Sequence, residues 1–338
     1  MLQSRIDRLE SPIFNRSIRK MIFSRKALEN VIFALLVAGA LLVIFTPNNI
    51  FFKRGATFAV QIMFFYLAVS FIFLIARRQR LMLTSLACCA ALNVFLKGSI
   101  DSAATVLTTP GSEKVKLAHF NVANSSPEDL ENTIESILST DADLISLQEI
   151  TPEWDFVLHQ ALSTKYPHNF RQVRIDFHGI SVYSRHEFVT IDTFLFGDIP
   201  NVLGCIKIDS TEQMVHFVSS HTEPPINTAS FKKLKGHFDC IADRLKKLNG
   251  PVVAMGDYNA VSWLSEVKYF REKVGLVDSR DFLSASPSSS LSLMSMPIDH
   301  IFFSEHMECV NFESVWNNNS ERLGIVGNYQ FKHPEIEL

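Results

Sequence analysis

Three apolar runs without a single charge occupy most of the first 100 residues: Val31–Phe45, Ala56–Ala76 and Leu81–Leu96. The middle one, ATFAVQIMFFYLAVSFIFLIA, is 21 residues long, and about 20 residues at 1.5 Å each are needed to cross ~30 Å of hydrocarbon. The outer two are shorter. They extend through Asn30, Thr46 and Lys97, the last by reaching its ammonium toward the interface. The first run has no small-residue cleavage site and two further runs follow it, which separates it from a removable signal peptide. The sequence therefore predicts a basic N-terminal segment over residues 1–29 and a membrane anchor of three helices over residues 30–100.

Charge sets the expected orientation. Residues 1–100 carry 13 Lys and Arg against 3 Asp and Glu, whereas residues 101–338 carry 19 against 32, so the overall net charge of −3 averages two opposite parts. Arg5, Arg8, Arg16, Arg19, Lys20, Arg25 and Lys26 precede the first run, and Arg77, Arg78 and Arg80 form the turn between the second and third. Only Lys53 and Arg54 separate the first run from the second. By the positive-inside rule the N-terminus and the RRQR turn are cytoplasmic, and an odd number of spans delivers the rest to the periplasm or cell exterior. The expectation is a multi-pass protein of the inner or cytoplasmic membrane.

Residues 101–113 read as a linker, with the polar stretch TTPGSEK leading into a domain over residues 114–338 that is long enough for its own core. Cys88 and Cys89 fall inside the third run, and Cys205, Cys240 and Cys309 are scattered without C-x-x-C spacing, which argues against a zinc site.

The domain contains a helix-then-strand unit twice. In the first, Ser126, Pro127, Glu128 and Asp129 resemble a helix start, Leu130, Ile134, Ile137 and Leu138 share a helix face, and ADLISLQE reads as a buried strand ending at Glu149. In the second, Phe231, Leu234, Phe238, Ile241, Leu245 and Leu248 share a face, Asn249-Gly250-Pro251 stops the helix, and VVAM runs into Gly256-Asp257. Both units deliver a carboxylate at the C-terminal end of an apolar strand. Further strand candidates are VKLAHF, GISVYS, VLGCIKI, MVHFVSS and IDHIFF. Helix-then-strand units separated by such strands suggest two packed sheets with helices outside, and motif residues gathered at one rim.

HFNVAN with Asn121, ISLQEI with Glu149, HGISVYSR, SSHTEPP with His221, MGDYNA with Asp257 and Asn259, PIDHIFF with Asp299 and KHPEI with His333 occur in this order. Together they resemble the endonuclease/exonuclease/phosphatase superfamily, in particular its membrane-anchored bacterial branch, over roughly residues 114–338. The resemblance implies a four-layer α/β/β/α sandwich, here preceded by three transmembrane helices, that hydrolyses phosphate esters with a divalent metal. Mg²⁺ is the expected ion, with Mn²⁺ as its substitute, because Asn121 and Glu149 offer hard oxygens. By the same resemblance Asp257 orients or deprotonates the attacking water, Asn259 holds a phosphate oxygen and His221 donates to the phosphoryl group or leaving oxygen. His333 forms a pair with Asp299, which fixes its tautomer. One departure is visible: the family reads Ser-Asp-His where this chain has Phe331-Lys332-His333, a cation in place of a carboxylate.

An excess of 13 acidic over basic residues beyond residue 100 argues against long nucleic acid, whose binding draws on Lys and Arg displacing counterions. Lys232, Lys233 and Lys235 lie on the polar side of an amphipathic helix and read as a solvated face. The expected substrate is a phosphodiester, a phosphomonoester or a lipid-linked phosphate near the membrane. Two alternatives stay open: a degenerate domain serving as a membrane-bound binding or sensing module, and an extracytoplasmic DNase.

Overall fold

The computed structural model describes residues 25–99, 106–109, 111–125, 129–208, 213–280, 296–316 and 322–332. The chain divides into two compact units, Met1–Leu96 and Lys97–Leu338.

The N-terminal helices are α1 (Arg25–Phe45), α2 (Ile50–Thr57), α3 (Ala59–Ile75) and α4 (Gln79–Ser99). Among the described residues, α1 and α4 are long and apolar enough to cross a membrane, each with 21 residues. The second expected span has a bend at its start. Ala56–Ala76 is mostly α3, 17 residues long, which meets α2 at Phe58 with a 70° bend; the pair supplies a third span only if it counts as one. The local cause is legible: Asn49 caps α2 by accepting the Phe51 N–H, and the Thr57 hydroxyl bonds back to the Lys53 carbonyl, a habit that bends helices. The helices are joined by polar side chains, since Tyr66 donates to the Leu36 carbonyl at 2.6 Å and Ser85 to the Tyr66 carbonyl at 2.7 Å.

In the second unit the strands are β1 (Lys114–Asn121), β2 (Leu144–Gln148), β3 (His168–Gln172), β4 (Ile180–Ser184), β5 (Phe188–Phe196) and β6 (Ile199–Lys207). They continue with β7 (Met214–Ser220), β8 (Val252–Asp257), β9 (Leu276–Asp278), β10 (Asp299–Ser304), β11 (Met307–Trp316) and β12 (Arg322–Phe331). One six-stranded sheet has the order β11-β12-β1-β2-β4-β3, the other β5-β6-β7-β8-β10-β9. The helices are α5 (Leu130–Ser139), α6 (Pro152–Leu162), α7 (Thr228–Leu245) and α8 (Ser265–Val274). Ser126–Glu128, expected to start α5, lie outside the described residues; α7 is capped by Asn227 and Ser230, which bond each other's backbone N–H groups.

Three apolar layers hold the four structural layers together. Val115, Leu117, Leu144 and Val182 of the first sheet meet Val202, Phe217, Val253, Met255 and Ile301 of the second. On the outer face of the first sheet, Ile137 of α5 and Leu158 and Leu162 of α6 pack on Ala118, Phe120, Ile145 and Leu147. Outside the second sheet, Phe238 of α7 stacks on Phe270 of α8 with centroids 4.9 Å apart, and both rings approach Tyr258. The expected α/β/β/α sandwich is thus present.

The period-two alternation positions the site. Successive inward residues change from apolar to polar toward one end: Val115, Leu117, His119, Asn121 on β1; Leu144, Ser146, Gln148 on β2; Val215, Phe217, Ser219 on β7. On β8 the series is Val253, Met255, Asp257, and antiparallel β10 runs it in reverse, Asp299, Ile301, Phe303. The polar ends bond across the gap, with Ser146 Oγ 2.6 Å from Ser219 Oγ.

Candidate active site

β1 pairs parallel with β2, and β7 parallel with β8, so the C-terminal ends of these four strands open onto one edge of the sandwich. Asn121 and Glu149 arrive from the first sheet, and His221, Asp257 and Asn259 from the second. Asp299 begins β10 directly opposite Asp257. Glu149 and Asn259 both adopt positive φ, 61° and 50°, an uncommon state for side-chain-bearing residues that turns each strand end sharply outward.

The side chains form one network. Asn121 Nδ2 donates to Glu149 Oε1 at 2.8 Å and lies 3.3 Å from Asp257 Oδ2. Asp257 Oδ1 accepts the Asn259 N–H at 2.8 Å, and Asn259 Nδ2 donates to the Thr222 carbonyl at 2.7 Å. His221 Nδ1 faces the Phe177 carbonyl at 2.9 Å, which can only accept, so Nδ1 carries a proton. Its Nε2 then faces Asn259 Nδ2 at 3.3 Å and Glu149 Oε1 at 3.9 Å. In this neutral tautomer Nε2 is an acceptor that steadies Asn259; donating to a phosphoryl oxygen requires a second proton.

Gln148 and Gly256 make the arrangement possible, and neither is signalled by the sequence as a site residue. Buried Gln148 donates from Nε2 to the Ser220 carbonyl at 2.8 Å and accepts the Asp257 N–H on Oε1 at 2.9 Å, tying β2 to the second sheet. Gly256 has φ +151°, and a Cβ there would lie 1.9 Å from the Ser220 carbonyl oxygen and 2.7 Å from Gln148 Nε2.

Electrostatics sharpen the picture. Burial, and then the neighbouring Asp299 charge, push the Asp257 carboxyl up to about 7. Burial works in the same direction on Asp299, but Arg322 and then His119 outweigh it and hold that carboxyl well below the usual range. Burial lowers the His221 imidazolium, with Glu149 opposing. The two carboxylates supply hard oxygens suited to Mg²⁺, which keeps several waters and takes one or two carboxylates from the protein, while the Asn121 amide faces them through Nδ2 and accepts the Ala123 N–H on Oδ1. A cation placed there would oppose the burial and the Asp299 charge that raise Asp257. The residues therefore fit a divalent ion; no group of three or more His, Cys, Asp and Glu that could hold a metal occurs among the described residues.

The last motif is where sequence and structure part. His333 lies outside the described residues, but Lys332, to which it is bonded, is at the far end of β12. Its N–H donates to the His306 carbonyl, and neighbouring Gln330 pairs with Lys114 at the start of β1. Ten residues separate Lys332 from Arg322, roughly 30 Å at about 3.3 Å per strand residue. Lys332 therefore does not face the cleft. Among the described residues, Asp299, expected to pair with His333, bonds Arg322 through Oδ2 and stands 3.4 Å from His119 Nε2 through Oδ1. His300 is core, donating from Nε2 to the Ala260 carbonyl at 2.7 Å and stacked on Phe302.

With the fold and this cleft in view, the comparisons agree on a class. The profile of the Endonuclease/Exonuclease/phosphatase family matches residues 118–321, and the chain belongs to that family. Among solved structures, an endonuclease/exonuclease/phosphatase from Beutenbergia cavernae DSM 12333 aligns with TM-score 0.55 and 15% identity, covering 64% of this chain and 72% of the other. A family protein from Bacteroides thetaiotaomicron gives 0.53 and 18%, covering 66% and 100%. The mannosyl-6-phosphatase Bt3783 of Bacteroides thetaiotaomicron VPI-5482 gives 0.51 and 16%, covering 65% and 100%. No curated protein matches by sequence. The family is one of hydrolases acting on phosphoester bonds.

Proposed function

We propose that this chain is a membrane-tethered, extracytoplasmic phosphoesterase that uses a divalent metal, Mg²⁺ or Mn²⁺. The observation that carries the reading is the meeting of Asn121, Glu149, Asp257 and Asn259 in one hydrogen-bonded network at the strand ends. Glu149 would hold the ion, joined by Asn121 through its amide oxygen once that amide turns from the Ala123 N–H; when bound, the ion supplies Lewis acidity toward a phosphoryl oxygen. Asp257 takes the water proton, a role suited to a carboxyl whose burial brings it up to about 7. Asn259 keeps one Nδ2 N–H on the Thr222 carbonyl and would turn the other, here spent on His221 Nε2, to a phosphate oxygen.

The tether rests on the apolar helices, and the orientation on the Lys and Arg asymmetry about them. A reporter active only outside the cytoplasm, fused after Leu338, should be active; activity of a cytoplasm-only reporter instead overturns the orientation. A substrate with an apolar part, such as a lipid-linked phosphate, is supported by the acidity of the domain and by two exposed side chains next to the cleft. Ile175 and Phe177, in the loop whose carbonyl fixes His221, are 93% and 58% exposed.

A binding or sensing module is the second reading, favoured by Arg322 standing at Asp299, because a guanidinium does not give up a proton as an imidazolium does. The full chain in detergent, assayed with Mg²⁺ on a generic phosphodiester and a phosphomonoester, decides between them. Metal-dependent turnover supports the enzyme, and its absence with both esters supports the module.

A further inference from the structure

We infer that Arg322 is the side chain that grips a phosphoryl oxygen in this cleft, with Asp299 as its positioning residue; the inference rests on the phosphoester-binding reading above. Arg322 opens β12, which runs antiparallel to β1 with Gly324 opposite Phe120, so it stands at the same strand ends as Asn121. Its Nη2 donates to Asp299 Oδ2, and Asp299 is the register partner of Asp257. The other Asp299 oxygen faces His119 Nε2 at 3.4 Å, so the carboxylate is held by Arg322 on one side and approached by an imidazole on the other. The Arg322 side chain retains 14% exposure. A guanidinium anchored through one arm still offers planar N–H donors to an anion, and the fork matches two phosphate oxygens.

Neighbouring cations are committed elsewhere. Arg280 is buried, with Nη2 on the Asp299 carbonyl at 2.8 Å. Arg174 is tied to both Asp176 oxygens at 2.8 and 2.6 Å, and Lys332 is at the opposite end of its strand. The cleft gathers the carboxylates of Glu149, Asp257 and Asp299, so an entering phosphate needs a fixed positive charge. Arg322 supplies one. It binds and neutralises; it does not transfer a proton.

The test uses the full chain in detergent with inorganic phosphate as probe, measured by titration calorimetry with and without Mg²⁺, beside turnover of a monoester and a diester. Arg322→Gln should weaken phosphate binding at least tenfold and lower kcat/KM at least a hundredfold, and Arg322→Lys should restore part of both. Removing one partner of a buried pair can unfold the protein, so Asp299→Asn/Arg322→Gln, which removes both charges, is measured with it and should lose phosphate binding while melting like the parent. Phosphate affinity within twofold of the parent in the double variant overturns the inference. Arg322-dependent phosphate binding without turnover of either ester upholds it and sinks the hydrolase reading; turnover indifferent to Arg322→Gln sinks it and leaves the hydrolase.

Discussion

Gln148 accepts the Asp257 backbone N–H at 2.9 Å, so the residue that ends a strand of one sheet sets the position of the carboxylate that ends a strand of the other. Because the opposite arm of the same amide holds Ser220, Gln148→Leu strands a buried N–H and a buried carbonyl. Each unpaired group costs about 1–3 kcal/mol. The expected result is a stability loss of roughly 2–5 kcal/mol in urea denaturation with a fall in turnover. Unchanged stability would mean that water or a shifted backbone replaces both bonds.

Gly256→Ala should be among the most damaging single-methyl additions in the domain. The new Cβ would sit 1.9 Å from a backbone oxygen, at a φ of +151° that side chains avoid. Backbone strain of this kind costs about 1–3 kcal/mol before any steric term. Thermal melting should show either a large drop in Tm or no folded protein, while Gly98→Ala, at a helical glycine where the Cβ meets nothing within 4 Å, should lose far less.

Glu149→Gln keeps an oxygen but removes the charge. If Glu149 is the principal metal ligand, Mg²⁺ titration should show affinity reduced at least tenfold, about 1.4 kcal/mol or more, with the melting curve of the ion-free protein unchanged. Identical Mg²⁺ dependence in parent and variant would remove Glu149 from the metal site.

Two core histidines make the domain acid-sensitive. Burial lowers His237, bonded to Asn201 at 2.8 Å, to about 3, and His300 to about 4. Unfolded, both bind a proton below ~6.5. The unfolded state therefore holds more protons as pH falls from ~6.5 toward those values, and stability declines by about 1.4 kcal/mol per pH unit for each histidine. His237→Gln should flatten the decline between pH 6.5 and 5 by about half of the two-histidine contribution. An unaltered slope would show that His237 is protonated in the folded protein.

Much of the architecture could be read before any coordinate was known, because burial writes itself into period two and period 3.6. VKLAHF, GISVYS and MVHFVSS carry that pattern into β1, β4 and β7, and Phe231, Leu234, Phe238, Ile241 and Leu245 all face inward on α7. β12 is not legible in the sequence because Gly324 and Gly327 interrupt its alternation. Each glycine is required by a close approach, the first to the His119 carbonyl and the second to the Tyr329 hydroxyl. The sequence places the final motif at KHPEI, and Arg322 lies in a polar stretch with no distinguishing signal. Asn121, Glu149, Asp257 and Asn259 were legible because each is an abrupt polar stop after an apolar strand. Gln148 was not, since one amide beside a carboxylate predicts nothing about a bond to a strand more than a hundred residues away.

The donors of the cleft are divided between the two sheets, Asn121 and Glu149 on one and Asp257, Asn259 and His221 on the other. An ion or phosphate lodged there would act as a clasp across the sandwich, so that releasing it and parting the sheets become a single event. Its binding free energy would then enter the global unfolding equilibrium undiminished, about 2.7 kcal/mol at a hundredfold excess over Kd, instead of quieting one loop. For such a protein the melting temperature itself becomes a ligand sensor, usable before any substrate is known.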